Sequence, residues 1–188
     1  MQSIITHELS EHLKVTRETM KSIVNQLETA AKICIDSLNN SGKILIFGNG
    51  GSAADAQHIA AEIVGRYKTE RKGLAAIALT TDTSAITAIA NDYGYLHVFN
   101  RQLEALANKN DVVIGISTGG TSANVISAIK LANEIGCRTI GFSGRDGGEF
   151  DVLCDVNLIA VADNTPRIQE MHILIGHTIC HLIDQAFD

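Results

Sequence analysis

Residues 43–66 read KILIFGNGGSAADAQHIAAEIVGR. A short apolar run, Lys43–Phe47, stops at a cluster of glycines, and a helical segment follows to about Arg66. Strand, glycine-rich turn, helix: that order repeats down the chain. Leu74–Leu79 is a second apolar run, and Thr83–Ala90 and Val98–Ala107 read as helices behind it. Val112–Ile116 (VVIGI) precedes a helix over Ser122–Ile135, and Arg138–Phe142 and Cys154–Val161 supply a fourth and a fifth strand. Thr165 is placed to cap a long closing helix, with Pro166 at its first position, where a missing N–H costs nothing. Strands that alternate with helices pair in parallel through right-handed crossovers. The expected architecture is α/β: a doubly wound, three-layer α/β/α sandwich around a five-stranded parallel sheet. In such sheets ligands bind beyond the carboxyl ends of the strands, where the strand order reverses.

Before this alternation begins, residues 1–40 read as helix throughout. Ile5, Leu9, Leu13, Met20, Ile23, Val24, Leu27, Ala31, Cys34 and Leu38 recur at steps of three, four or seven and form an apolar stripe. Forty helical residues exceed what a small sheet can cover. The stripe predicts a bend near Val15–Arg17 and burial of part of this segment against another subunit; the alternative is that all of it packs on its own sheet.

The 188 residues fit one domain, with no linker, low-complexity stretch or internal repeat. The chain is 45% hydrophobic but only 4% aromatic, which suits helices packed on a parallel sheet. A net charge of −6, with no basic cluster longer than Lys68–Lys72, argues against nucleic acid as a partner. The N-terminal stretch has neither the basic flank nor the apolar core of a signal peptide. No apolar run approaches the ~18–20 residues that a membrane helix needs. Cys34, Cys137, Cys154 and Cys180 are scattered, so reduced thiols in a cytoplasmic protein are the economical reading.

Two strand ends carry glycine- and hydroxyl-rich loops that open helices: Gly48-Asn49-Gly50-Gly51-Ser52 and Ser117-Thr118-Gly119-Gly120-Thr121-Ser122. Free N–H groups and the positive end of the helix dipole favour an anion there, and hydroxyls add donors without adding charge. Neither loop has the lysine of a nucleotide-binding P-loop, and the first lacks dinucleotide spacing. Any α/β protein needs tight glycine turns, so either loop alone says little; the two together, with the hydroxyls of the second, favour a phosphate ester. On the helix after the first loop, His58 and Glu62 are four residues apart, hence on one face and able to reach one metal ion or one substrate. Such a pair is often only a solvated helix face; its place two turns past an anion site gives it weight. The last helix carries Gln169, His172, His177 and His181 among apolar residues. Any of these histidines suits a metal, a packed core or an interface. His7, His12 and His97 read as surface or packing residues.

In this order and over nearly the whole chain, GNGGSAADAQHIAAE, AIANDYG, GISTGGTSANV and RIQEMHILIGH resemble the phosphoheptose isomerases, a branch of the sugar-isomerase (SIS) domain family. The resemblance implies one SIS domain over residues 1–188, flavodoxin-like in topology, with residues 1–40 at a subunit interface of a homotetramer. It implies zinc, one divalent ion per subunit, at His58, Glu62, Gln169 and His177. It implies substrate contacts at Asn49, Gly50, Gly51, Ser52, Glu62, Asn91, Asp92, Ser117, Thr118, Gly119, Ser122 and Gln169. The expected reaction converts D-sedoheptulose 7-phosphate to D-glycero-D-manno-heptose 7-phosphate through an enediol, for surface heptose biosynthesis. One departure stands out. The second loop of the family commonly reads S-T-S-G-N-S, so Gly119 here removes a hydroxyl from the phosphate cradle. There is also a geometric tension, because Gln169 and His177 on one straight helix lie ~12 Å apart along its axis.

Moving a carbonyl from C2 to C1 needs a base at carbon and an acid at the adjoining oxygen. Glu62 is the candidate base and His177 the candidate acid, and zinc suits polarisation of the carbonyl. Two rival functions draw on the same fold. One is a non-catalytic SIS-domain scaffold binding the replication initiator protein, which has no reason to keep Glu62 and His177. The other is a sugar-phosphate sensor, which ordinarily carries an attached DNA-binding module.

Overall fold

The computed structural model describes all residues, Met1–Asp188. Five strands form one sheet in the order β2-β1-β3-β4-β5, and every neighbouring pair is parallel. They are β1 (Ile44–Gly48), β2 (Ala76–Ala78), β3 (Val112–Ile116), β4 (Arg138–Gly144) and β5 (Val156–Ala160). The helices are α1 (Gln2–Asn39), α2 (Gly51–Val64), α3 (Thr83–Tyr93), α4 (Asn100–Leu106), α5 (Ala123–Ile135), α6 (Phe150–Leu153) and α7 (Thr165–Ala186), with a 3₁₀ turn at Tyr95–His97. The expected sandwich is the observed one. No helix is long and apolar enough to cross a membrane.

β1, β3 and most of β4 are buried on both faces, which is why they read as continuous apolar runs rather than alternating ones. Successive residues nevertheless serve different layers. Ile44 and Ile46 join Ile114, Ile59, Ile63, Ile175 and Ile179 in the core beneath α1, α2 and α7. Leu45 and Phe47 join Val113, Leu103, Val125 and Ile129 in the core beneath α4 and α5. Glycine sets how closely the layers approach: a Cβ on Gly115 would come within 3.0 Å of Ile129 of α5, and one on Gly176 within 2.5 Å of Ile59 of α2. The missing side chain at residue 176 lets α7 and α2 pack this closely over Ile59.

The chain leaves β1 toward β2 on one side, then returns to place β3 on the other. This reversal puts the carboxyl ends of β1 and β3 side by side, in register through Gly48 and Ile116, with a crevice between their loops.

β2 is shorter than the expected Leu74–Leu79, the short α6 is an addition to the expected elements, and three further details differ from expectation. α1 is a single 38-residue helix with no break near Val15–Arg17. No glycine or proline occurs before Gly42, and Thr16 returns its hydroxyl to His12 O (2.9 Å), leaving the backbone ladder intact. Its second half packs through Ile23, Ala30, Ala31, Ile33 and Cys34. Its first half is fastened at the side: Thr19 accepts from Val161 N (3.0 Å), Arg167 donates to Glu8 O (2.7 Å), and His12 pairs with Glu170 (2.7 Å). Ile4, Ile5, Leu9, Leu13, Met20 and Val24 stay exposed. Asn164, not Thr165, occupies the N-cap of α7, which moves Pro166 one place into the first turn, still free of any N–H requirement. Val98–Ala107 splits into the 3₁₀ turn and the short α4, with Val98 and Phe99 buried between them.

Candidate active site

The first loop turns on Gly50, whose φ of 57° suits glycine and leaves open space where a side chain would stand. Ser52, in the first turn of α2, is buried against Gly48. Asn49 is locked by a reciprocal amide pair with Asn124 of α5 (2.9 Å each way), and its Oδ1 also accepts from the Tyr95 hydroxyl (3.1 Å). Gln169 of α7 lays its amide directly on Gly51, where a Cβ would collide with it. One residue from each of α2, α5, α7 and the 3₁₀ turn thus closes on this loop.

The second loop is held from inside. Ser117 Oγ shares a hydrogen bond with Ser122 Oγ (2.9 Å), and Ser122 N points to the same oxygen (3.4 Å). Gly120 N donates to Ser117 O (2.9 Å). The N–H groups of Thr118, Gly119 and Thr121 find no acceptor in the chain, so donors converge at the start of α5 with no acid among them.

Two turns along α2, His58, Glu62 and His177 meet. Their donor atoms lie within 4.8 Å of one another: His58 Nε2 is 3.1 Å from Glu62 Oε1 and 3.3 Å from His177 Nε2. The α2–α7 contact permitted by Gly176 brings these helices within reach. Burial pulls the His177 imidazole below its ordinary pKa, His58 adds to this, and Glu62 opposes it. A neutral imidazole offers a lone pair, so two imidazoles and a carboxylate converging on one point can hold a divalent ion. Tyr67 stacks on His177 with ring centroids 5.1 Å apart.

This corner is braced by a buried ion pair. Arg71 donates to Asp184 Oδ1 (2.8 Å), to Ile63 O (2.9 Å) and to Glu62 O (3.0 Å), closing the end of α2. Asp184, near the end of α7, also accepts from Lys68 N (2.6 Å) and Thr69 N (3.0 Å). Burial pushes the Asp184 carboxyl up, but those N–H groups and the guanidinium outweigh it and hold the pKa below its ordinary value.

Of the expected site residues, His58, Glu62 and His177 form one cluster, and Gly50, Gly51 and Gln169 gather at the neighbouring loop. Asn91 and Asp92, at the end of α3, are exposed and hydrogen-bonded to each other (2.8 Å). His172 is a core residue, fully buried and bonded to Ser143 O (2.9 Å). His181 stands outside the cluster, tilted against Tyr67 at 6.2 Å. Sequence reasoning missed Tyr67, Tyr95, Asn124 and Asp55. Asp55 lies one turn before His58; burial pushes its carboxyl up to about 6, His58 partly opposes this, and Oδ2 has no partner. A carboxylate next to the apolar positions Ala56, Ile59 and Ile63 of α2 was the available signal.

A family model described as the SIS domain matches residues 8–144. Phosphoheptose isomerase from Aliarcobacter butzleri (strain RM4018) is 59% identical over 184 residues, covering 98% of this chain and 97% of that protein. The phosphoheptose isomerase of Helicobacter hepaticus (strain ATCC 51449 / 3B1) is 56% identical, covering 98% and 93%. The solved structure of phosphoheptose isomerase GmhA from Neisseria gonorrhoeae superposes with a TM-score of 0.93 at 48% identity, over 98% of both chains.

Proposed function

The chain belongs to the SIS domain family and, within it, to the phosphoheptose isomerases, and from that premise we propose that it interconverts D-sedoheptulose 7-phosphate and D-glycero-D-manno-heptose 7-phosphate. The observation that carries the reading is the meeting of His58, Glu62 and His177 beside two anion-ready loops at the sheet's reversal point. The product is a heptose phosphate, suited to surface heptose synthesis. The scaffold reading gains nothing from the comparisons.

In this proposal Ser117, Thr118 and Ser122, with the free N–H groups of Thr118, Gly119 and Thr121, hold the phosphate. Asn49, Gly50, Gly51, Ser52, Asn91, Asp92 and Gln169 face the sugar. Glu62 removes a proton from C1 and returns it to C2, while His177 moves a proton between the two oxygens, through an enediol. His58, Glu62 and His177 suit zinc, with Gln169 as a further donor, and the bound ion would supply electrophilic polarisation of the carbonyl. Asn124 and Tyr95 position Asn49, and Tyr67 orients His177. A homotetramer is supported by the exposed apolar half of α1, a patch too long for one isolated chain to leave wet.

The test is direct. Purified protein incubated with sedoheptulose 7-phosphate should yield the aldose phosphate, and Glu62→Gln, nearly identical in shape, should lose ~10²–10⁴-fold in turnover. Light scattering should give about four times the 20.1 kDa chain mass for wild type and variant alike. A folded Glu62→Gln protein with near-normal turnover would remove Glu62 as the base.

A further inference from the structure

The second loop holds donors but no cation, and a phosphate dianion binds more strongly where a charge-assisted, bidentate donor joins them. One arginine stands beside it. A Cβ added to Gly119 would lie 3.7 Å from Arg145 Nη1, so the missing side chain at position 119 leaves a gap that the guanidinium faces. Arg66, Arg71, Arg101, Arg138 and Arg167 are all ion-paired. Arg145, exposed on its loop, has no carboxylate partner and no side-chain hydrogen bond.

The backbone holds it in place. Arg145 has a φ of 59°, a conformation that non-glycine residues rarely adopt and that a loop keeps only when its surroundings enforce it. Those surroundings are visible. Arg145 N donates to Ala162 O and Gly147 N to Gly144 O (3.0 Å each), and Glu149 N donates to Gly120 O (3.0 Å). Gly120 and Gly148 leave no room for a Cβ where the two loops touch, since one on Gly120 would overlap Gly147 O. Residues 144–149 are thus clamped against the second loop, which keeps Arg145 Nη1 beside Gly119.

We propose that Arg145 is the phosphate-recognition cation of this protein, a specificity-determining residue whose guanidinium pairs with the anion held by the Ser117–Ser122 loop. The proposal rests on the phosphate placement given above. A planar fork of N–H donors matches two phosphate oxygens at once, which the neighbouring hydroxyls cannot do.

The test compares wild type with Arg145→Asn, chosen because asparagine tolerates positive φ and so removes the guanidinium without forcing the turn. KM for sedoheptulose 7-phosphate should rise about ten- to a hundredfold, the range for losing a charge-assisted hydrogen bond, while kcat falls much less. Arg145→Lys should fall between the two. In parallel, calorimetry should show inorganic phosphate binding weakened by a similar factor in Arg145→Asn, with circular dichroism unchanged. If wild type turns over substrate but Arg145→Asn matches it in KM and in phosphate binding, Arg145 does not recognise the phosphate. If wild type shows no turnover yet loses phosphate binding on Arg145→Asn, the anion role stands and the isomerase reading falls. If the variant misfolds, Arg145→Gly, which accepts φ near 59° freely, is read by the same two measurements.

Discussion

His172 offers a sharp test of how burial is converted into pH-dependent stability. Its side chain is fully buried on α7, with Nε2 toward Ser143 O and Nδ1 without a partner. Burial drags its pKa from 6.5 down to about 4, a fall the Ser143 bond only partly offsets. The sign follows from which state holds the proton. Below pH 6.5 the unfolded imidazole takes one up, while the folded imidazole resists until about pH 4. The contribution is therefore complete above 6.5 and is lost as pH falls between those values. Between pH 7 and pH 4.5 this gap removes about 2 kcal/mol. Asp55 acts in the opposite direction, because its folded pKa is raised to about 6 and it gains stability as pH falls through that value. Wild type alone will show a partial cancellation. The informative quantity is a difference, wild type against His172→Gln, whose amide still donates to Ser143 O but does not titrate. Urea unfolding with chelator, at one protein concentration, should show wild type losing about 2 kcal/mol more than His172→Gln from pH 7 to 4.5. Parallel losses in the two proteins would refute the account.

Three further outcomes are expected. Metal analysis of untagged protein should find near-stoichiometric zinc, and His58→Ala should lose it because one of three converging donors is gone; metal-free protein that stays active after chelation counts against a bound ion. Asp184→Asn leaves the Arg71 guanidinium buried without its counter-charge, which should cost about 3–5 kcal/mol in denaturant unfolding; a change under 1 kcal/mol would mean the pair contributes little. Gly176→Ala drives a methyl into Ile59 and pushes α7 from α2. Cobalt titration, followed by its visible absorption, should then show metal affinity down at least tenfold, with a folded protein by circular dichroism; unchanged affinity would show that the helices can part without disturbing His58 and His177.

Much of this was legible in the sequence, for definable reasons. The strands were visible because each is a short apolar run, continuous in β1, β3 and most of β4, which are buried on both faces, while β5 alternates between buried and half-buried positions. His58 and Glu62 were legible because four residues is one helical turn. Their meeting with His177 was not, since nothing local reports that residue 176 lets two helices touch; that is a pairwise property of Gly176 and Ile59. Asn124 and Tyr95 escaped for the same reason: an amide pair across 75 residues leaves no periodic mark. The expected bend in α1 is absent because a helix longer than its sheet can run on past it, and nothing in this stretch, which lacks glycine and proline, breaks the backbone ladder.

The unbroken α1 also bears on how the chain is made. Of the elements described here α1 is made before the others, yet it packs on β5 and α7, through Thr19 to Val161, the residue after β5, and Arg167 to Glu8. At ~5–20 residues per second, its stripe waits for roughly 7–30 s before those partners exist. Nascent chains of this protein should therefore present a sticky amphipathic helix to whatever binds such surfaces during synthesis, and a message stalled before residue 165 should release a product that aggregates rather than one that merely lacks activity.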